Sequence, residues 1–105
     1  MVKEKLRNYK GGRDFEAVIF MIQPRTIEIL KTVRDKGPIR HGEIAEITGA
    51  GLSTVSYVLR TSRIKYKLVE YHDSISTDGN KKYILTKRGR EALELAEKLR
   101  GYFSG

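Results

Sequence analysis

The chain has 105 residues, enough for one domain, and its 21 basic side chains outnumber 13 acidic ones, which gives a formal net charge of +8. This excess of positive charge points to a polyanionic partner, above all nucleic acid. The absence of cysteine excludes disulfides and thiolate metal sites. The longest apolar run, residues 17–22, is far shorter than the roughly 20 residues that a membrane span requires, so no membrane partner is expected.

The first residues carry charges, and no apolar run of signal-peptide length follows them. This favours a cytoplasmic protein, associated with the nucleoid if the partner is DNA. Asn and Gln number only three while charged residues reach 32%, a combination typical of thermophile proteins. Residues 1–13 are predicted to be a flexible basic arm ahead of a single domain over 14–103. The arm either only aids solubility or follows the phosphate backbone or the minor groove of DNA.

Helical periodicity marks the first half of the domain. Apolar side chains at positions 15, 18, 19 and 22 predict a helix over 14–22, with a strand as the alternative. Pro24 suits the first turn of a second helix, which ends at Gly37-Pro38. A third helix is expected to begin at residue 40 or 41 and to end at Gly49. A fourth helix is expected from about 52 to 66.

After residue 66 the sequence changes to strand and turn chemistry. Residues 68–72 and 82–85 predict two strands, and Asp78-Gly79 between them is typical of a hairpin turn. Thr86 can then cap a last helix. Three helices followed by a hairpin make a winged helix arrangement. The predicted fold class is therefore mainly α with a small β-hairpin (α+β): a three-helix core plus wing, flanked by N- and C-terminal helices.

The third and fourth helices have the spacing of a helix–turn–helix. Ala45 is small and lets the two helices cross closely, and Gly49 can adopt positive φ at the turn. Val55 then packs the fourth helix back onto the core. Because the outward positions of the fourth helix are hydrogen-bonding or cationic and none is acidic, this helix is predicted to bind DNA in the major groove. The wing, about 68–85, would contact the backbone or the minor groove.

The predicted DNA contacts lie on the fourth helix and at the tip of the wing. Nine basic and three acidic side chains between residues 60 and 90 place most of the net charge there. Arg60 is the best candidate to read a base, since arginine pairs bidentately with guanine, and a phosphate contact is its alternative role. The full predicted set is Ser53, Thr54, Ser56, Tyr57, Arg60, Thr61, Arg63, Lys65, Lys81 and Lys82.

Four stretches, spread over most of residues 14–100, resemble the winged helix–turn–helix transcription regulators of the ArsR and MarR kind. They are Gln-Pro-Arg-Thr-Ile-Glu-Ile-Leu (23–30), Gly-Glu-Ile-Ala-Glu-Ile-Thr-Gly (42–49), Leu-Ser-Thr-Val-Ser-Tyr-Val-Leu-Arg (52–60) and Tyr-Ile-Leu-Thr-Lys-Arg-Gly-Arg-Glu-Ala-Leu (83–93). The resemblance implies a first core helix, a positioning helix, a recognition helix and an exit from the wing. It departs from that family in one respect, since the segment after the recognition helix lacks the usual glycine.

The first and last helices are the expected contacts of a homodimer, which would place two recognition helices on two DNA half-sites. In the alternative, the same apolar residues close the core of a single chain. The predicted dimer interface comprises Phe15, Ile19, Ile22, Leu95, Leu99 and Tyr102.

Catalysis, cofactors and metals have little support in the sequence. His41 and His72 lie in different elements, and the cysteine ligands usual for metal sensing are absent. We expect no enzyme activity. Two other binding functions stay open: a winged helix module that binds protein or RNA, and a chromatin-type DNA binder with little sequence preference. Exposed apolar side chains over 53–63 would favour protein binding.

Overall fold

The computed structural model describes residues 12–72 and 81–104, so most of the predicted basic arm and the Asp78-Gly79 turn lie outside the described residues. The described chain is mainly helical, with one small antiparallel sheet. In chain order the elements are α1 (Gly12–Ile22), α2 (Pro24–Lys36), α3 (His41–Thr48), α4 (Leu52–Arg60), a π-helical turn (Thr61–Lys65), β1 (Val69–Tyr71), β2 (Tyr83–Leu85) and α5 (Lys87–Ser104).

Helix α2 lies at the centre of the core and packs against the other four helices and β2. Pro24 occupies its first turn as predicted, because a helix needs no N–H donor there. Ile29 and Leu30 are completely buried, together with Ile44 of α3 and Leu93 of α5. This single apolar cluster fixes how the short helices are arranged.

Helices α3 and α4 are joined by the predicted tight turn. Gly49 has φ of 74°, the left-handed conformation that a side chain would disfavour, and its N–H donates to the carbonyl oxygen of Ala45 at 2.9 Å. The backbone N–H of Arg40 donates to the carboxylate of Glu43 at 3.2 Å, which satisfies a free amide at the start of α3. Val55 of α4 is completely buried, as expected for the residue that packs α4 onto the core.

The sheet is a two-stranded hairpin whose inner face closes the core. Its register pairs Val69 with Leu85 and Tyr71 with Tyr83. Val69 and Leu85 are buried, and the two tyrosines extend the same face outward. An isolated bridge between Ile39 and Tyr83 ties the segment between α2 and α3 to the hairpin.

The predicted continuous helix over 52–66 is corrected by the structure. The α-helix ends at Arg60 and continues as a π-helical turn, in which the Tyr66 N–H reaches back to the Thr61 carbonyl oxygen at 3.3 Å. Lys67 then has φ of 58°, so this lysine occupies a left-handed conformation that favours glycine. The Thr86 hydroxyl donates to the Lys67 carbonyl oxygen at 2.8 Å and accepts from the Gly89 N–H at 2.9 Å, which confirms Thr86 as the cap of α5.

Replacing Lys67 with glycine is expected to stabilise the protein by about 1 kcal/mol, because glycine adopts a left-handed conformation without the strain that a Cβ brings. Lys67→Ala is the matched control, since it removes the same exposed side chain and keeps the strained backbone. Chemical denaturation of both variants measures the difference. A Lys67→Gly variant no more stable than Lys67→Ala would contradict the prediction.

Helices α1 and α5 pack against each other but bury different faces from those that their apolar spacing suggests. In α1, Phe20 and Met21 enter the core, with the Phe20 ring 5.3 Å from the ring of Tyr66, while Ile19 and Ile22 stay exposed. In α5, Leu93 and Ala96 are buried, Leu99 is half-buried, and Leu95 and Tyr102 are exposed. In the alternative to a dimer, the predicted interface residues would close the core of a single chain. That alternative is wrong for the four that are exposed: Ile19, Ile22, Leu95 and Tyr102. The side chain of Phe15 lies outside the described residues.

Candidate nucleic-acid interface

The outer face of α4 is the centre of the candidate site. Its inner face is buried through Val55, Val58 and Leu59, which lie three and four residues apart and so share one side of the helix. The remaining positions point outward because the opposite side of the helix packs against the core. Ser53, Thr54, Ser56, Tyr57 and Arg60 are all exposed, as predicted from the sequence.

Arg60 ends the α-helical part of this face. Its guanidinium is exposed and forms no ion pair with any residue in the ranges 12–72 and 81–104. A guanidinium with all its donors turned to solvent can approach either a base edge or a phosphate. The hydroxyls of Ser53, Thr54 and Ser56 lie in the first turns of the same helix, where its dipole also favours a phosphate.

The π-helical turn changes how the next predicted residues are presented. Thr61 and Arg63 are half-buried. Lys65 is exposed, but its ammonium donates to the carboxylate of Glu16 in α1 at 3.0 Å, and this hydrogen bond raises the pKa of Lys65. Lys65 therefore links α1 to the end of the π-helical turn, and it is less available for a phosphate than its position in the sequence suggests.

Arg63 is directed at the hairpin. Its guanidinium carbon lies 4.5 Å from the centre of the Tyr71 ring, and the Lys81 ammonium lies 4.4 Å from the same ring. The Tyr71 ring in turn lies 5.3 Å from that of Tyr83, its cross-strand partner. Burial raises the pKa of Tyr83, Tyr71 raises it further, and the positive charge of Arg63 opposes the shift.

Lys81 and Lys82, which were predicted to lie at the tip of the wing, are both half-buried. The carbonyl oxygen of Lys82 accepts from the His72 N–H at 2.8 Å, so the hairpin pairing continues beyond β1 and β2. Both lysines therefore lie next to the second strand, and Lys81 lies against the Tyr71 ring. The cluster of Arg63, Tyr71, Lys81 and Tyr83 depends on long-range packing, and no spacing in the sequence indicates it.

Several large side chains in or near the α4 segment are exposed and wholly or partly apolar. Tyr57 is 57% exposed, and Leu52 and Ile64, just outside the segment 53–63, are 56% and 53% exposed. Ile47 of α3 is also exposed. The outer surface is thus polar and cationic with apolar side chains among its residues, which weakens the distinction between a DNA-binding and a protein-binding face.

Within the ranges 12–72 and 81–104, no group of His, Cys, Asp or Glu side chains could hold a metal ion. The helices of the same ranges include none that is long and apolar enough to cross a membrane. Comparison with protein-family models, curated proteins and solved structures found no match to this chain.

Proposed function

We propose that this protein has a winged helix–turn–helix fold and binds double-stranded DNA as a sequence-specific transcription regulator. Helix α4 would lie in the major groove, and the hairpin would contact the backbone or the minor groove. Such a protein would act in the cytoplasm, on the nucleoid. The proposal needs no cofactor, metal or catalytic residue.

One observation carries the proposal: the exposed side of α4 bears hydroxyls and Arg60, which has no ion pair with any residue of 12–72 and 81–104. Serine and threonine can bond to bases or to phosphates, and arginine is the side chain that most often reads guanine. Two further cations, Arg63 and Lys81, meet where the end of this segment approaches the hairpin. The formal net charge of +8 strengthens attraction to a polyanion over the whole molecule.

The exposed apolar residues Leu52, Tyr57 and Ile64 favour a second candidate, a winged helix module that binds another protein. Tyrosine can serve either function, since it contacts thymine methyl groups and phosphates as well as protein surfaces. The cationic residues on the same side favour DNA as the first candidate.

A fluorescence-anisotropy titration near physiological salt tests these candidates. It compares a selected pool of genomic fragments with random duplex of the same length. Binding to one fragment at least about a thousandfold more tightly than to random duplex is expected for a sequence-specific regulator. Equal, tight binding would indicate a chromatin-type protein with little sequence preference. Failure to bind any duplex would overturn the proposal and favour a protein or RNA partner.

We also propose a homodimer formed through α1 and α5. Both helices leave apolar side chains exposed although they are packed against each other, and 80% of the Tyr102 surface is accessible. Complete burial of an exposed isoleucine or leucine gains about 1.5–3 kcal/mol, and these partly exposed side chains would gain a corresponding fraction of it when a partner covers them. A symmetric dimer would also align two α4 helices with two DNA half-sites.

Replacing Ile19 with glutamate is expected to convert the dimer into a monomer, because a carboxylate would be buried without a partner. Ile47→Glu is the matched control, since this isoleucine is also about half exposed but lies on α3. Sedimentation at micromolar concentration measures the mass of each variant. A monomer mass for the unmodified chain would exclude the dimer, and a dimeric Ile19→Glu variant would exclude this interface.

A further inference from the structure

Two positive side chains approach one aromatic ring at the junction of the π-helical turn and the hairpin. Arg63 and Lys81 both lie within 4.5 Å of the Tyr71 ring centre, so their charges are within about 9 Å of each other. Attraction to the face of an aromatic ring explains why each cation is held there. It does not remove the repulsion between the two charges.

Neither cation has an acidic partner among residues 12–72 and 81–104. In addition, the Nε atom of Arg63 is buried and has no hydrogen-bond acceptor in the described part of the chain. A buried donor without an acceptor is unfavourable, and two cations at one ring without an acidic partner in the described ranges add to that cost. An anion that contacts the accessible donors of both side chains would offset the repulsion between their charges.

The position of the pair indicates which anion would bind. Arg63 lies three residues after Arg60, close to one turn further along the segment that begins with α4, and Lys81 lies two residues before the second strand of the hairpin. A duplex whose major groove holds α4 and whose backbone contacts the hairpin would run between these two elements. The oxygens of a single phosphate can accept charge-assisted hydrogen bonds from both an arginine and a lysine.

We propose that Arg63 and Lys81 together bind one backbone phosphate of the DNA, and that Tyr71 is the positioning residue that holds both cations toward it. This inference rests on the proposed function. It adds a two-cation phosphate site between the recognition helix and the hairpin.

The number of phosphates involved can be read from the salt dependence of binding to a short duplex, since each neutralised phosphate contributes about 0.9 to the slope of log affinity against log salt. Two cations on the same phosphate predict that the variant R63Q/K81Q loses about one from the slope magnitude. A shared phosphate also predicts that the fold-loss of affinity in R63Q/K81Q differs from the product of the fold-losses in the two single variants. If the two cations contact separate phosphates, the double variant loses about two from the slope, and its fold-loss of affinity equals the product of the two single fold-losses. That result would overturn the proposal. An unchanged slope would overturn it as well.

Three further variants complete the test. Lys98→Gln removes one positive charge from an exposed side chain on α5 and is expected to change the affinity less than either Arg63→Gln or Lys81→Gln. Tyr71→Phe keeps the ring and is expected to bind like the unmodified chain, whereas Tyr71→Leu should lose affinity about as much as a single cation variant. If the Tyr71→Leu variant binds DNA as tightly as the unmodified chain, the positioning role of Tyr71 is overturned.

Circular dichroism melts of all variants separate weakened binding from unfolding. The proposed site and the proposed function fail in different ways. If the unmodified chain binds no duplex, both are overturned. If the unmodified chain binds and Arg60→Ala weakens it, while R63Q/K81Q does not, only the two-cation site is overturned.

Discussion

Replacing Gly89 with alanine is expected to destabilise the protein by about 2–3 kcal/mol, a large part of the stability of a small domain. A Cβ at this position would overlap the carbonyl oxygen of Leu68 and lie only 2.9 Å from its carbonyl carbon. These are backbone atoms, so no side-chain rotation can relieve the overlap. Alanine favours a helix over glycine by about 1 kcal/mol, which is too little to offset a clash of this kind.

The clash would also spread into the junction between the hairpin and α5. The carbonyl oxygen of Leu68 accepts from the Thr86 N–H at 3.0 Å, and moving it away from alanine would weaken that hydrogen bond. Leu68 itself is buried beside the strained Lys67. Thermal unfolding should therefore show a melting temperature lower by roughly 10 °C or more.

Gly101→Ala is the matched control for Gly89→Ala. It makes the same substitution in the same helix, but nothing lies within 4 Å of the added Cβ. We expect Gly101→Ala to raise the free energy of unfolding by up to about 1 kcal/mol through helix propensity alone. Similar stability of the two variants would show that Gly89 does not have the close backbone contact described here.

Replacing Arg60 with alanine is expected to weaken binding to a preferred DNA fragment by about tenfold or more, since a bidentate contact with guanine contributes about 1–3 kcal/mol. Its side chain is exposed and has no ion pair among the described residues, so its removal should leave the fold unchanged. Anisotropy titrations on the preferred fragment and on random duplex measure the effect. A larger loss on the preferred fragment indicates a base contact, and equal losses indicate a phosphate contact.

Lys82→Ala is expected to weaken binding to both kinds of DNA by a similar factor and to lower the salt slope by about one, because lysine at the hairpin would contact phosphate. Lys98→Ala removes the same charge from the exposed surface of α5 and serves as the control. Unchanged affinity in both Arg60→Ala and Lys82→Ala would exclude this surface as the DNA contact.

Local sequence signals predicted most of the secondary structure. Pro24 marked the start of α2, Gly49 the turn before α4, and Thr86 the start of α5, and the structure confirms each. These signals are reliable because each acts through the backbone geometry or hydrogen bonds of a few neighbouring residues. The exposed face of α4 was equally predictable, since its apolar residues recur at helical spacing.

Where the chain departs from expectation, residues distant in sequence decide the outcome. In α1 the apolar spacing favoured positions 15, 18, 19 and 22, whereas Phe20 and Met21 enter the core because of the position of Tyr66 and the packing against α5. In α5 the core likewise selects Leu93 and Ala96 and leaves Leu95 exposed.

The sequence by itself determines the net charge and the order of helices and strands, because apolar spacing, caps and turns act locally. The π-helical turn, the left-handed Lys67 and the cluster around Tyr71 depend instead on contacts distant in sequence, because each needs the hairpin to pack against the end of α4. Lys67 is held by a hydrogen bond from Thr86, nineteen residues away, and Arg63 meets Tyr71 and Lys81 only across the folded junction. Contacts of this kind gain their energy from tertiary packing, which overrides the preferences of any short segment.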